Sequence, residues 1–147
     1  MAKLTGAGAT LEIGTADDAG VTLPGSDTFT AIGGVKSFSG PSGDKGEVDV
    51  TDLASTGKEY LGGIPDYGEV AFQGWHDVAE AKQTTIWADF NDSTDTHIRN
   101  YKVTFADGAE YDFNGYIKSL SHTVDPEGGI ELNGSVRVSG PMTRTLV

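Results

Sequence analysis

From Tyr101 to Ile117, across one turn, and again from Ile130 to Val138, apolar residues or glycines return at every second position of the strands, and no other feature of the chain restricts its fold as much. Tyr101, Val103 and Phe105 alternate with Asn100, Lys102 and Thr104; after Ala106-Asp107-Gly108, residues Tyr111, Phe113, Gly115 and Ile117 continue the pattern. Successive side chains of a strand point to opposite faces, so this is the signature of a half-buried antiparallel hairpin closed by an Asp-Gly turn. Asp125-Pro126-Glu127-Gly128-Gly129 turns the chain again, into a strand with Ile130, Leu132, Gly134, Val136 and Val138 inward and Glu131, Asn133, Ser135 and Arg137 outward.

The earlier part of the chain reads similarly. Phe29 to Ser39 suits a strand bent at Gly33-Gly34, Gly40 to Asp44 is a turn, and Glu47 to Thr51 puts Val48 and Val50 on one face. Glu69 to Trp75 forms a strand with Val70 and Phe72 inward. Asp77, with Glu80 three residues on, predicts a helix N-cap and a helix over Val78 to Phe90 whose face carries Ala79, Ile86 and Phe90; Thr84-Thr85 weakens it. About six strands and one helix predict a mainly β fold, an antiparallel β-sandwich or barrel with one flanking α-helix. Residues 1–28 hold no period and read as an N-terminal arm or edge segment, leaving 29–147 as the domain.

Composition removes several function classes. The 147 residues include 22 acids against 10 bases, a net charge of −12, and such a field repels nucleic acid and anionic membrane. There is no cysteine, hence no disulfide, thiolate metal site or cysteine nucleophile. No apolar stretch approaches a membrane span, and Met1 to Gly6 has no leader-like apolar region. The 21 glycines are scattered, which fits many tight turns.

Motifs for chemistry fail on inspection. His76, His97 and His122 sit on three predicted elements without ligand spacing, so no metal site is expected. The run from Asp89 to Asp95 begins like a calcium loop, but Thr94 stands where glycine is required and Asn100 where a bidentate glutamate should be. Gly6-Ala7-Gly8 lacks the strand and helix of a dinucleotide fingerprint, and Gly57-Lys58 lacks the rest of a phosphate loop. The many acids leave a glycosidase pair open, but the aromatics follow core alternation rather than lining a cleft. No catalytic residue and no cofactor is expected.

The stretch from Gly46 to Trp75 remains. It leaves one strand, runs through a Gly/Ser/Thr-rich connection carrying Asp49, Thr51, Asp52, Lys58 and Glu59, and re-enters a strand after Ile64-Pro65-Asp66. Connections of this length in small domains usually bind something. From Asp44 to Glu69 there are seven acids and two bases, interspersed with Leu53, Tyr60, Leu61 and Ile64. Such apolar residues cannot all be buried by their own loop, which makes a neighbouring subunit the expected place for them. The alternative is an Ω-loop folded back on its own domain.

Three blocks in this order and spacing resemble the major tail tube proteins of long-tailed, lambda-like phages: Val35 to Pro41, Val48 to Leu53, and Lys58 to Val70 with its K-E-Y-L-G-G-I-P-D core. Phe105 to Gly108, Tyr111 to Ser121 and Val136 to Gly140 look like that family's last hairpin and strand; the resemblance spans about residues 30–141 and implies a β-sandwich with a flanking helix.

The resemblance implies a structural virion protein of the phage tail, assembled in the host bacterial cytoplasm, whose subunits close into six-membered rings that stack into a tube. It implies an acidic lumen through which DNA passes during ejection without specific binding, and the protein itself, a tape-measure protein, a tail terminator and tail tip proteins as partners. It assigns the loop at about residues 43–66 to contact with the adjoining ring; the expected contact residues are Asp49, Thr51, Asp52, Leu53, Lys58, Glu59, Tyr60, Leu61, Ile64 and Asp66. The rival readings are a tube protein of a contractile tail or related injection system and a carbohydrate-binding sandwich, the latter favoured if Trp75 and Trp87 share one exposed surface.

Overall fold

Two long strands, β8 (Glu110–Val124) and β9 (Ile130–Thr145), pair along almost their whole length and form the spine of the molecule. The computed structural model describes residues 7–14, 28–93 and 98–145. The remaining elements are β1 (Thr10–Gly14), β2 (Phe29–Ala31), β3 (Val35–Ser39), β4 (Asp44–Asp49), β5 (Tyr60–Asp66), β6 (Glu69–Trp75), α1 (Ala81–Asn91) and β7 (Arg99–Thr104). Among the described residues, seven strands form one antiparallel sheet in the order β2-β1-β7-β8-β9-β6-β3, while β4 and β5 pair only with each other.

Register shifts between Phe113 and Asn114 and between Ile117 and Ser119 break the β8–β9 ladder. Such bulges bend a strand and increase its twist. On one side of the break β8 pairs with β7, which leads to β1 and β2; on the other, β9 pairs with β6, which leads to β3. The two halves enclose one core in which Leu11, Ile13, Val70, Tyr101, Phe113 and Val136 are all but inaccessible to solvent. Tyr101 stacks on Phe113 with ring centroids 5.8 Å apart.

Alternation therefore predicts the faces of β6, β7, β8 and β9 well. Ile130, expected inside, is 45% exposed because the hairpin runs past the end of the core. Other expectations need correction. Thr10–Gly14, read as part of an arm or edge segment, is an inner strand, with Leu11 and Ile13 buried. The rest of residues 1–28 lies outside the described residues, apart from Ala7 to Ala9 and Thr28.

The helix starts later than predicted, at Ala81, with the Glu80 carboxylate accepting from the Lys82 N–H. Asp77 instead caps a preceding turn by accepting from the Ala79 N–H at 2.9 Å. Only Ile86 of the expected face is buried; Ala79 and Phe90 are exposed. The buried Gln83 amide fastens the helix: it donates to the Gly33 and Trp75 carbonyls and accepts from the Asp77 N–H. Gln83→Ala strands these backbone groups, so unfolding in urea should show a loss of about 1–3 kcal/mol.

Gly134 sits at a close approach within the sheet. A Cβ there would lie 2.8 Å from the Phe72 ring and 2.9 Å from the Ser119 carbonyl oxygen. Gly134→Ala should cost about 1–3 kcal/mol in the same measurement, as overpacking of a close-packed interior does.

Candidate interaction arm and its surroundings

β4 and β5 form a two-stranded ribbon standing away from the sheet, and every residue of β4 is exposed. This is the largest departure from the sequence reading. The connection expected to lack regular structure is a hairpin with a register shift between Lys45 and Glu47. Val48 and Val50, read from the sequence as one face of a strand, lie on the ribbon, 52% and 39% exposed. The periodicity of Val48 and Val50 is that of a strand, but its partner is β5 alone.

The tip of the ribbon is held by its own polar residues. Asp49 accepts from the Thr51 N–H at 2.9 Å, and hydrogen bonding from Thr51, its side chain first and then its N–H, holds the Asp49 carboxyl below the usual carboxylate range. Thr51 Oγ1 accepts from the Glu59 N–H at 2.8 Å, while Asp52 accepts from Ala54 N–H and the Ser55 hydroxyl. Short polar side chains that bond their own backbone in this way fix a turn without a hydrophobic core.

The apolar residues have no such partners within the ribbon. Leu53 is fully exposed at the tip, Ile64 is 90% exposed, and Tyr60 and Leu61 are more than half exposed. All ten expected contact residues lie on this ribbon and its tip, and all ten are exposed. An Ω-loop packed on its own domain is not what the fold shows. At the base, Asp66 receives two hydrogen bonds from the Arg137 guanidinium of β9, at 2.9 and 3.0 Å. The Gly68 N–H and then Arg137 keep the Asp66 carboxyl low, and the same pair raises Arg137 further.

A second exposed region lies beside the helix. His76 and His122, on separate elements in the sequence reading, meet edge to face with ring centroids 5.2 Å apart, and Trp87 lies 6.3 Å from His122. His97 lies outside the described residues. Among the described residues no group of three or more His, Asp or Glu is placed to hold a metal ion. Asp89, the first residue of the calcium-loop match, is committed to Arg99, with contacts of 2.7 and 2.9 Å.

Trp75 and Trp87 are both about half exposed. Trp75 pairs with Glu131 in register and carries Lys36 over its ring, on the outer face of β6 and β9. Trp87 lies with His122 and Leu132 on the opposite face. The two tryptophans thus form no common sugar-binding platform.

No protein-family model matches the chain, and no curated protein matches it by sequence. Solved structures do. A chain from the tail of an empty gene transfer agent particle, refined with C6 symmetry, superimposes with a TM-score of 0.71 at 18% identity, covering 97% of this chain and 99% of that one. A chain of the SPP1 tail tube gives 0.67 at 14% identity, over 99% of this chain and 80% of the other. A chain from the sheath/tube terminator of the contractile injection system PVC gives 0.72 at 8% identity, over 99% and 98%. The fold is shared with chains of these tail and injection assemblies.

Proposed function

We propose that this chain is a structural subunit of a phage tail tube, closing with copies of itself into rings that stack around a conduit for DNA. The observation that carries the reading is the ribbon: an ordered, solvent-surrounded arm with four exposed apolar side chains, on a fold shared with tail-derived chains. An isolated two-stranded hairpin is at best marginally stable in water, so an arm of this kind is completed by what it docks on. A head-to-tail contact between identical subunits closes a ring when its rotation divides a full turn, and rings of the same kind stack.

On this reading the ten ribbon residues contact the adjoining ring, Leu53, Tyr60, Leu61 and Ile64 supplying buried area and the tip acids meeting cations there. The role is mechanical rather than catalytic, in a virion tail, and a tape-measure protein, a terminator and tip proteins are the partners. Among the described residues no helix is long and apolar enough to cross a membrane. The likeness to the PVC chain supports a second reading, a tube inside a contractile sheath. Native mass spectrometry at increasing concentration tests the proposal: a ladder ending in a closed ring and its stacks is expected. A monomer at every concentration would overturn it, and co-purification with a contractile sheath would favour the second reading.

A further inference from the structure

On the face of the β7–β8 hairpin turned away from Tyr101 and Phe113, one lysine is closed in by two acids. Lys102 and Asp112 stand directly opposite each other in register, and Glu110 follows one step along the same face. The Lys102 Nζ lies 3.4 Å from Glu110 Oε2 and 3.9 Å from Asp112 Oδ1, with the Phe29 ring of β2 over it, its centroid 4.4 Å away. This is not a surface salt bridge. The Asp112 and Lys102 side chains are 7% and 18% exposed, and Asp112 Oδ1 is buried without a hydrogen bond among the described residues.

We infer that Lys102 and Asp112 condense into an intramolecular amide, with Glu110 carrying the protons, so that the finished subunit holds a covalent tie across its β7–β8 hairpin. The bond forms within one chain, so the inference does not rest on the tube reading.

The chemistry needs only these three side chains. Burial pushes the Asp112 carboxyl up, Lys102 drawing it back and Glu110 adding to the rise, which favours the neutral acid. A neutral carboxyl is an electrophile where a carboxylate is not. The Lys102 ammonium gives a proton to the Glu110 carboxylate, and the free amine attacks Asp112 Cγ, forming the C–N bond. Glu110 then passes its proton to the departing hydroxyl as the C–O bond breaks and water leaves. Finally it takes the excess proton from the nitrogen and releases it to solvent. An ammonium and a carboxylic acid become an amide, one water and one proton.

Fixed neighbours react as if at about 10⁵–10⁸ M when the reacting atoms are about 3–3.5 Å apart. The contact at 3.9 Å reaches that range by a small turn of the lysine stem. Other ion pairs among the described residues lack the combination. Lys36 with Glu131 and Lys118 with Glu69 are more exposed and pair with one acid each. The buried Asp89 faces Arg99, whose guanidinium keeps its charge and is no nucleophile. In a chain without cysteine, the tie closes the Ala106-Asp107-Gly108 turn as a disulfide would elsewhere.

A tryptic digest of the denatured wild-type chain, read by mass spectrometry, tests the bond. Trypsin does not cut after an acylated lysine. Residues 100–118 should therefore appear as one peptide, lighter than their sequence by one water, with fragment ions linking Lys102 to Asp112; the separate peptides 100–102 and 103–118 should be nearly absent. Lys102→Arg should release 103–118 at full mass. Glu110→Gln, folded by circular dichroism but unable to carry the proton, should leave most chains unlinked.

Separate peptides of full mass from the wild type would overturn the inference, and that digest decides even if neither variant folds. A water loss that persists in Lys102→Arg would equally overturn it, since it would mark dehydration elsewhere, as at Asp107-Gly108. A link formed as fully in Glu110→Gln would overturn the part given to Glu110.

Discussion

Replacing Leu61 and Ile64 together by aspartate should abolish tube formation while leaving the folded subunit intact. Both side chains are exposed on β5, Leu61 at 59% and Ile64 at 90%, so the monomer gives up little packing. Surface substitutions of this kind usually change stability by less than about 0.5 kcal/mol. Docked against another subunit, however, each aspartate would place a carboxylate in an apolar contact, at a cost of several kcal/mol unless it found a partner. The contact repeats at every subunit, so the penalty recurs around every ring. Sedimentation or electron microscopy reads the assembly, and circular dichroism with thermal melting reads the fold. A double variant that unfolds would place these side chains in the monomer's own core; one that still forms tubes would remove the arm from the assembly interface.

The second large effect is on folding. Asp89→Ala should destabilise the subunit by about 3–5 kcal/mol, the usual result of removing one partner of a buried ion pair. Asp89 lies in the last turn of the helix and Arg99 begins β7; their side chains are only 8% and 10% exposed. Arg99 donates to both Asp89 oxygens and, at 3.2 Å, to the Gly14 carbonyl of β1, so one guanidinium ties the helix, β7 and β1 together. Without the carboxylate the guanidinium keeps its charge and loses its counterion. Asp89→Asn retains one acceptor and should cost less. Chemical denaturation measures both, and a loss below about 1 kcal/mol for Asp89→Ala would mean that Arg99 escapes to solvent.

These two predictions also show what a sequence can and cannot reveal. The core faces of β6 to β9 were legible because burial of one sheet face imposes a period of two, and Val70, Phe72, Tyr101, Val103, Phe113 and Val136 all follow it. The candidate contact residues were legible for the opposite reason: Leu53, Leu61 and Ile64 are apolar where no core period explains them. The ribbon was not legible, since its strands bury neither face and so carry no reliable alternation, while its order comes from turn bonds such as Asp49 to Thr51 and from pairing between distant residues. β1 escaped because Leu11 and Ile13 are too short a period to separate from their Gly- and Ala-rich surroundings. The true helix start was hidden by two acids, Asp77 and Glu80, either of which makes a good cap; the choice is made by Gln83, whose amide reaches the Gly33 and Trp75 carbonyls across the fold. The meeting of His76 and His122 likewise depends on tertiary packing alone.

Electron microscopy of the purified, concentrated protein tests the central claim most directly. The account predicts hollow tubes of stacked rings, each ring built from one kind of subunit with the arm bridging to the next. Particles that remain single subunits at high concentration, even after addition of tail initiation components, would contradict it.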